Sequence, residues 1–297
     1  MTRACSLLVF LALVALSGCG PKYPGADVVL HTQHGDIAIR LYAETPGHAA
    51  NFLANARAGV YNGVTFHRVV DGFMIQAGDP KTRATNEGIP NVPDTTLPAE
   101  ILPQFYHKRG VLAAARNGDQ QNPDRRSSNL QFYIVTGQTY TASDLDQLEA
   151  EIDSRNRERI IYQYQVAPEN AWLWTYVAQL QDSLALERLR RTNPDSLRRM
   201  EARIGELERQ LVAAQDALPG YRFSTAQRET YTTLGGAPVL DGQYTVFGEV
   251  VAGMEAADLI GKAQVVGERP VDPVVLQVTV VAPKDKYGPE VLPIGAK

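Results

Sequence analysis

One segment, residues 66–79, constrains the fold more than any other part of the sequence. It spells F-H-R-V-V-D-G-F-M-I-Q-A-G-D and places one arginine, Arg68, among apolar residues. A guanidinium keeps its charge at any physiological pH and carries five N–H donors in a rigid fork. Burying it beside Phe73 and Met74 is unfavourable unless it meets an acceptor. The combination therefore suggests a pocket, although spacing alone favours a strand with one snorkelling arginine.

Three motifs in a fixed order resemble one protein family. Residues 66–79 resemble the signature F-H-R-x-x-x-G-F-M-x-Q-x-G-D of the cyclophilin-type peptidyl-prolyl isomerases. Residues 110–116 (G-V-L-A-A-A-R) and 130–134 (L-Q-F-Y-I) are similar to its G-x-L-x-M-A and S-Q-F-F-I segments. Residues 240–248 (L-D-G-Q-Y-T-V-F-G) are similar to its L-D-G-x-x-x-V-F-G.

The resemblance implies a fold and a reaction. It covers residues 26–137 and 236–282 and implies a mainly β, cyclophilin-like eight-stranded antiparallel β-barrel with two helices. The implied reaction is cis–trans rotation about X–Pro bonds of unfolded or folding polypeptides. It needs no metal and no cofactor, because no covalent bond is made or broken. The alternative is a peptide-binding or chaperone module with weak or no isomerase activity, acting through the inserted helical segment.

The resemblance also implies the site residues. Arg68 would donate a hydrogen bond that favours the twisted peptide bond. Five residues would line the proline pocket: Phe73, Met74, Tyr133, Leu240 and Tyr244. Four would bind the peptide backbone: Gln76, Ala115, Arg116 and Gln131. His67 has the alternatives of a general base and a packed structural histidine, and the second is favoured because the reaction needs no base.

Five positions depart from the family pattern. Tyr133 replaces a Phe, Val239 stands where many eukaryotic members have Trp, Ala114 replaces Met, Leu130 replaces Ser, and Arg116 replaces Asn. The Tyr133 substitution adds a hydroxyl, which we expect at the pocket edge. None of the five removes the donor or the pocket floor, so we expect activity.

The N-terminus, residues 1–18, predicts a signal peptide of the lipoprotein type. A short basic start precedes an apolar run that is too short for a permanent membrane helix. Leu16-Ser17-Gly18-Cys19 resembles a bacterial lipobox, which implies lipidation at Cys19 and a tether over residues 19–26. The expected location is the bacterial cell envelope, lipid-anchored and facing the periplasm. A plain secretory signal or a signal anchor, with Cys19 incidental, is the alternative.

The charge and the cysteine content argue against a nucleic-acid-binding protein and against a disulfide-stabilised one. The net charge of −4 provides no basic surface for nucleic acid. Of the two cysteines, Cys5 would leave with the signal peptide, so the mature chain would have no disulfide.

The first half of the barrel has clear local signals. Residues 28–31 and 36–41 alternate like two strands around a turn at Gly35. Thr45-Pro46 predicts a helix start with Thr45 as N-cap, and the helix should end at Gly59. His31 and His34, three apart on a strand, point to opposite faces and do not predict a metal pair.

Between the two halves of the barrel, residues 138–235 change to a helical period. Thr141-x-x-Asp144 predicts a capping box, Pro168 a break, and Asn193-Pro194 another helix start. A heptad-like series then follows, ending before Pro219-Gly220: Leu197, Met200, Ile204, Leu207, Leu211, Ala214 and Leu218. This insertion predicts a helical hairpin or coiled coil at the rim of the site. Three roles stay open for it: dimerisation, contact with clients or partners, and decoration of a loop.

After the insertion, residues 244–250 and 274–281 predict the closing strands of the barrel. A short helix is expected between them at residues 253–260. Residues 283–297 are expected to form a C-terminal tail.

Overall fold

The computed structural model describes residues 22–84, 92–173, 183–283 and 286–287, with the backbone alone for residues 183–186. Several predictions lie outside the described residues. They are the signal peptide with Cys19, part of the helical insertion, and the end of the tail.

Fourteen strands are formed in the described residues. They are β1 Val28–Thr32, β2 Gly35–Leu41, β3 Thr65–Phe66, β4 Arg68–Val70, β5 Met74–Ala77, β6 Thr96–Leu97, β7 Val111–Ala114, β8 Ser127–Ser128, β9 Phe132–Val135, β10 Val246–Ala252, β11 Val265–Val266, β12 Arg269–Pro270, β13 Val274–Val275 and β14 Gln277–Val280.

Eight of these strands form one curled antiparallel sheet. Its order is β14-β1-β2-β10-β7-β9-β5-β4. The two edge strands, β4 and β14, follow directly after β3 and β13, and β3 pairs with β13 through Phe66 and Val274. This short pair joins the two ends of the sheet. The predicted eight-stranded antiparallel fold is confirmed.

Alternation along the central strands separates two apolar clusters. On β7, Leu112 and Ala114 face one cluster, while Val111 and Ala113 face the other. Neighbouring β9 divides in the same way, because successive side chains of a strand point to opposite faces. The larger cluster is the main core, and the smaller one lies beneath the predicted proline pocket.

Two helices pack against the larger cluster, as predicted. They are α1 Pro46–Arg57 and, after the insertion, Met254–Gly261. Phe52 and Leu53 of α1 are buried there, together with Ile260 of the later helix. Thr45 lies at the N-cap position of α1, but its side chain makes no capping hydrogen bond. Glu100 takes that role, since its carboxylate accepts the N–H groups of Gly47 and His48, each at 3.0 Å.

The insertion contains four helices in the described residues. They are α2 Ala142–Val166, α3 Ser183–Thr192, α4 Pro194–Asp216 and α5 Thr225–Thr233; the helix at Met254–Gly261 is α6. The Thr141–Asp144 capping box opens α2, and a 3-10 turn at Pro168–Asn170 follows it. The side chain of Asn193 caps α4. Helix α4 contacts both α2 and α3, and α2 also contacts α5.

The chain leaves and re-enters the barrel at one place. Gly236 forms isolated antiparallel bridges with both Lys108 and Gln138. A Cβ on Gly137 would lie 2.5 Å from the Cα of Gly236, and one on Gly236 would lie 2.3 Å from the His107 carbonyl oxygen. Real Cβ atoms do not approach so closely, so this crossing requires glycine at both positions.

The two N-terminal histidines have separate environments. His31 lies 2.7 Å from the Asp36 carboxylate and 3.0 Å from the Thr279 hydroxyl, while His34 is exposed. Within the described ranges, no three His, Cys, Asp or Glu side chains are grouped closely enough to hold a metal ion. No helix in those ranges has the length and apolar character needed to cross a membrane.

Candidate active site

One cavity of about 580 Å³ brings together all ten predicted catalytic and substrate-binding residues. Arg68 comes from β4, Met74 and Gln76 from β5, and Tyr133 from β9. The antiparallel register places Arg68 opposite Gln76, and Gln76 opposite Tyr133. The remaining predicted residues complete the lining: Phe73, Ala115, Arg116, Gln131, Leu240 and Tyr244.

Arg68 is held in a fixed orientation by Glu268. Its Nε lies 2.5 Å from one carboxylate oxygen of Glu268, and its NH2 lies 3.2 Å from the other. Its NH1 is directed to the sulfur of Met74 at 3.9 Å. The hydrogen bond from Arg68 holds the pKa of Glu268 below its usual value, so the pair is ionised at neutral pH. Arg68 remains 39% exposed, which leaves part of the guanidinium open to the cavity.

The apolar floor consists of rings and thioether from three separate segments. Met74 is 1% exposed and Tyr133 is 4% exposed, so both are packed into the smaller core cluster. Phe73, Leu240 and Tyr244 pack on this cluster and are only partly buried. The Tyr133 and Tyr244 rings meet edge to face with centroids 5.8 Å apart. Together these side chains present an apolar surface to the cavity.

The hydroxyl of Tyr133 lies in a buried polar network and not at the pocket edge, contrary to our expectation. It lies 2.9 Å from Nε2 of His107, whose Nδ1 is 3.1 Å from the carboxylate of Asp241. Tyr231 of α5 donates its hydroxyl to the same carboxylate at 2.7 Å. Burial raises the pKa of Tyr133 well above its usual value, so its hydroxyl stays protonated. The insertion is therefore hydrogen-bonded, through three side chains, to a residue of the pocket floor.

The Arg116 side chain is turned into the protein. It is 3% exposed, pairs with Asp119 at 2.7 Å, and donates through Nε to the carbonyl of Gln243 at 2.7 Å. Its guanidinium also lies over the Tyr244 ring, 4.6 Å from the centroid. These contacts position Tyr244 and the loop after β7, and they leave little of this side chain for a peptide backbone.

Two glutamine side chains form the polar side of the cavity. Nε2 of Gln76 donates to Oε1 of Gln131 at 3.0 Å. Beside them, the backbone N–H of Ala115 donates to the Gln131 carbonyl. The second N–H of the Gln76 amide and the remaining lone pairs of Gln131 are available to an extended peptide.

His67 is consistent with a structural role. It is outside the cavity lining and half-buried, and its backbone N–H donates to the Gln76 carbonyl at 3.0 Å. Burial lowers its pKa, so the ring is neutral at physiological pH.

Motif comparison missed the polar wall of the cavity. Eight further residues line it: Asp94, Thr95, Thr96, Asn117, Gln121, Asn122, Arg126 and Ser128. They lie at residues 94–96 and 117–128, in the segments that precede β7 and β9. It also missed Glu268, which pairs with Arg68, and His107, which contacts Tyr133. Asp241 lies within the motif at residues 240–248, but its contacts with His107 and Tyr231 reach segments outside that motif. Polar loop composition was the one signal available for the wall, and it does not identify individual residues.

Known proteins resemble this chain in sequence and in structure. The family model described as cyclophilin type peptidyl-prolyl cis-trans isomerase/CLD matches residues 27–154 and 217–281. A probable peptidyl-prolyl cis-trans isomerase of Brucella suis is 36% identical over 142 residues, which is 44% of this chain and 68% of that protein. A putative peptidyl-prolyl cis-trans isomerase of Staphylococcus saprophyticus is 33% identical over 147 residues, covering 49% and 69% respectively. A crystal structure of a Cryptosporidium parvum cyclophilin type peptidyl-prolyl cis-trans isomerase aligns with a TM-score of 0.47 and 17% identity, over 87% of this chain and 98% of that one.

Proposed function

Because this chain belongs to the cyclophilin-type peptidyl-prolyl cis-trans isomerase family, we propose that it isomerises X–Pro bonds of unfolded or folding cell-envelope proteins, with Arg68 stabilising the transition state in an apolar proline pocket. The observation that carries this proposal is the single cavity that contains Arg68, the pocket floor and the two glutamines. These residues come from separate segments of the chain, and the fold brings them together.

The reaction requires that the site bind the peptide and supply one hydrogen-bond donor. Rotation about an X–Pro bond has a barrier of about 20 kcal/mol, because the amide is conjugated. In the twisted state the prolyl nitrogen loses conjugation and gains a lone pair, which accepts a hydrogen bond. A guanidinium that donates to this lone pair favours the twisted state over both planar states, which is differential binding of the transition state.

The parts of the cavity divide this work. Phe73, Met74 and Tyr133 supply the apolar surface for the proline ring. Gln76 and Gln131 bind the adjacent backbone and hold one side of the bond still. Arg68, fixed by Glu268, supplies the donor.

Replacing Arg68 tests the proposal. In the soluble form lacking residues 1–19, Arg68→Ala should lower kcat/KM on short X–Pro peptides by at least about tenfold, which is about 1.4 kcal/mol of transition-state stabilisation. The matched control is Arg40→Ala, since Arg40 is an exposed arginine that pairs with Glu249 outside the cavity. Wild-type activity in Arg68→Ala, or a wild-type protein no faster than the uncatalysed rate, would contradict the mechanism.

We also propose that the mature protein is anchored in the bacterial envelope through lipid on Cys19, facing the periplasm. The support is the apolar run followed by Leu16-Ser17-Gly18-Cys19. Several acyl chains on one cysteine give durable attachment, because each buried methylene contributes roughly 0.8 kcal/mol.

The anchor is tested in cells that express the full chain. Wild type should sediment with membranes and resist extraction by high salt, while Cys19→Ser should appear in the soluble fraction or remain unprocessed. Cys5→Ser is the matched control and should behave as wild type. Membrane attachment that persists in Cys19→Ser, with the signal peptide removed, would rule out the lipid on this residue.

A further inference from the structure

A second cavity, of about 280 Å³, lies between the insertion and the proline pocket. Helix α2 contributes Arg155 and Arg159 to it, and the loop after β7 contributes Asp119 and Arg125. The turn at residues 241–243 forms another side, and Ile152, Asn156 and Tyr221 complete the lining. The same loop and the same turn region also line the proline pocket, through residues such as Asn117, Gln121 and Tyr244. The two linings have no residue in common, but they use neighbouring residues of the same loop and the same turn.

Positive charge exceeds negative charge in this second cavity. Three guanidiniums face two carboxylates, and both carboxylates are already engaged. Asp119 pairs with Arg116 at 2.7 Å and with Arg125 at 2.8 Å. Asp241 accepts hydrogen bonds from the His107 backbone, from Tyr231 and from Gln227. Neither acid forms a close ion pair with the arginines of α2, although the charge of Asp119 partly offsets the lowering of the Arg159 pKa.

The two arginines of α2 have unused donors. Arg155 donates one long hydrogen bond, of 3.4 Å, to the Val239 carbonyl. Among the residues that the structure describes, none forms a hydrogen bond or close ion pair with Arg159, although its Nε is buried. Burial, and then the neighbouring charge of Arg125, lower the pKa of Arg159. A partly desolvated cation with free donors is stabilised when an anion enters beside it.

Arg125 is fixed on the opposite wall by its backbone and its contacts. It has a φ of +52°, which makes it the one non-glycine residue with positive φ in the described part of the chain. Such a conformation costs about 1 kcal/mol or more and persists only where the surroundings hold it. Its guanidinium donates to Asp119 and to the Gly242 carbonyl, each at 2.8 Å. The wall therefore holds the Arg125–Asp119 pair in a preorganised position.

We propose that this cavity binds an aspartate or glutamate side chain of the polypeptide whose proline occupies the neighbouring pocket. The fork of a guanidinium matches a carboxylate in two parallel hydrogen bonds, and Arg155 and Arg159 present two such forks. An extended chain advances roughly 3.3 Å per residue, so a polypeptide in the proline pocket reaches the adjoining cavity within a few residues. The inference rests on the proposed function, and it makes α2 of the insertion a determinant of substrate preference.

Peptide binding tests the proposal directly. Peptides of about twelve residues carry one central X–Pro bond and a single Glu or Gln, moved through each position on both sides. At one or two positions the Glu peptide should bind the soluble protein about fivefold more tightly than its Gln partner, which corresponds to about 1 kcal/mol. Calorimetric Kd values provide this readout, and kcat/KM for isomerisation is measured on the same peptides.

Variants on one helix provide the control. Arg159→Gln, and the pair Arg155→Gln with Arg159→Gln, should abolish the preference for Glu and leave the Kd of the Gln peptides unchanged. Arg157 is exposed on the same helix and does not line the cavity. Arg157→Gln therefore makes the same charge change and should keep the preference. Glutamine keeps helix propensity near that of arginine, so α2 should stay folded in each variant.

The possible outcomes separate this inference from the proposed function. Equal binding of every Glu and Gln pair by wild type, or an equal loss of preference in Arg157→Gln, would overturn the anion site. A preference that survives in the double variant would also overturn it. If Glu peptides bind more tightly and depend on Arg159, but no peptide is isomerised, the anion site stands and the isomerase mechanism fails.

Discussion

Arg68 depends on Glu268 for its geometry as much as on its own charge. Two of its nitrogens are directed to the two oxygens of one carboxylate. This pair occupies the edge of the guanidinium formed by Nε and NH2, and it restricts rotation of the long side chain. The remaining nitrogen is directed to Met74, toward the cavity. Glu268 is therefore a positioning residue for the proposed donor.

Glu268→Gln should lower kcat/KM by about three- to tenfold, because a neutral amide holds the fork less firmly than a carboxylate does. The free energy of unfolding should change little, since the pair is largely exposed. Kinetics on X–Pro peptides and denaturant unfolding provide the two measurements. Glu187→Gln, which removes another exposed glutamate–arginine pair, is the control and should leave both unchanged. Full activity in Glu268→Gln would show that Arg68 needs no support.

The sequence predicts which residues line the cavity better than it predicts which residues they contact. All ten site residues line one cavity, because the motifs identify side chains that face the same pocket. Glu268 lies 200 positions from Arg68, and no local pattern connects them. The inward orientation of Arg116 and the burial of the Tyr133 hydroxyl depend on Asp119 and His107, which belong to other segments.

Helix caps were likewise predictable where the capping residue is close in sequence and unpredictable where it is distant. The capping box at Thr141 and the helix start at Asn193 were predicted and are confirmed, because the cap at each of them uses residues three apart. The cap predicted at Thr45 is wrong in its mechanism. Glu100, 53 positions beyond Gly47, accepts the free N–H groups of α1 instead. A cap supplied from a distant loop has no signature in the local sequence.

Glu100→Gln should lower the free energy of unfolding by about 1 kcal/mol at neutral pH, as expected for a lost charged cap. Burial raises the pKa of Glu100, but hydrogen bonds from His48 and the helix backbone outweigh it and leave the pKa below its usual value. A depressed carboxyl pKa stabilises the fold above the unfolded-state pKa, and this contribution is lost as pH falls through the folded-state pKa.

Denaturant unfolding of wild type and Glu100→Gln at a series of pH values measures this effect. The difference between the two proteins should be largest near neutral pH and should shrink as the solution becomes acidic. Glu44→Gln is the control, because Glu44 is an exposed acid close to the same helix. A difference that is independent of pH would exclude the charge as its source.

The whole molecule is joined through one buried network between insertion and barrel. Tyr231 and Gln227 of α5 donate to Asp241, which contacts His107, which contacts Tyr133 of the pocket floor. Tyr231 is fully buried. The base of the insertion therefore supports the floor of the proposed proline pocket.

Tyr231→Phe should lower the free energy of unfolding by about 1–3 kcal/mol, because Asp241 loses a buried donor. It should also lower kcat/KM about threefold through displacement of Tyr133. In a Tyr133→Phe background the kinetic effect of Tyr231→Phe should disappear, while the loss of stability should remain. Tyr106→Phe is the control, since its hydroxyl contacts Thr230 outside the network. Additive kinetic effects of the two changes would show that they act separately.

The helices and strands were predictable from the periodicity of apolar residues in the sequence. The packing of the insertion against the barrel was not. Alternation predicted the strands on both sides of the insertion, and the helical period predicted α2 and α4. How α5 docks on the barrel depends on Tyr231, an aromatic residue in a polar helix whose partner Asp241 belongs to the barrel motif. The sequence does not show which buried site an aromatic ring such as that of Tyr231 will occupy, because this depends on tertiary contacts.

The crossing at Gly137 and Gly236 has a consequence for how such a chain arises. Departure and return are adjacent, so the entire helical excursion corresponds to one continuous stretch of the gene between two neighbouring backbone positions. A single duplication or deletion event can add or remove it without rerouting any strand of the ancestral domain. The two glycines therefore mark the boundary between the barrel and the excursion.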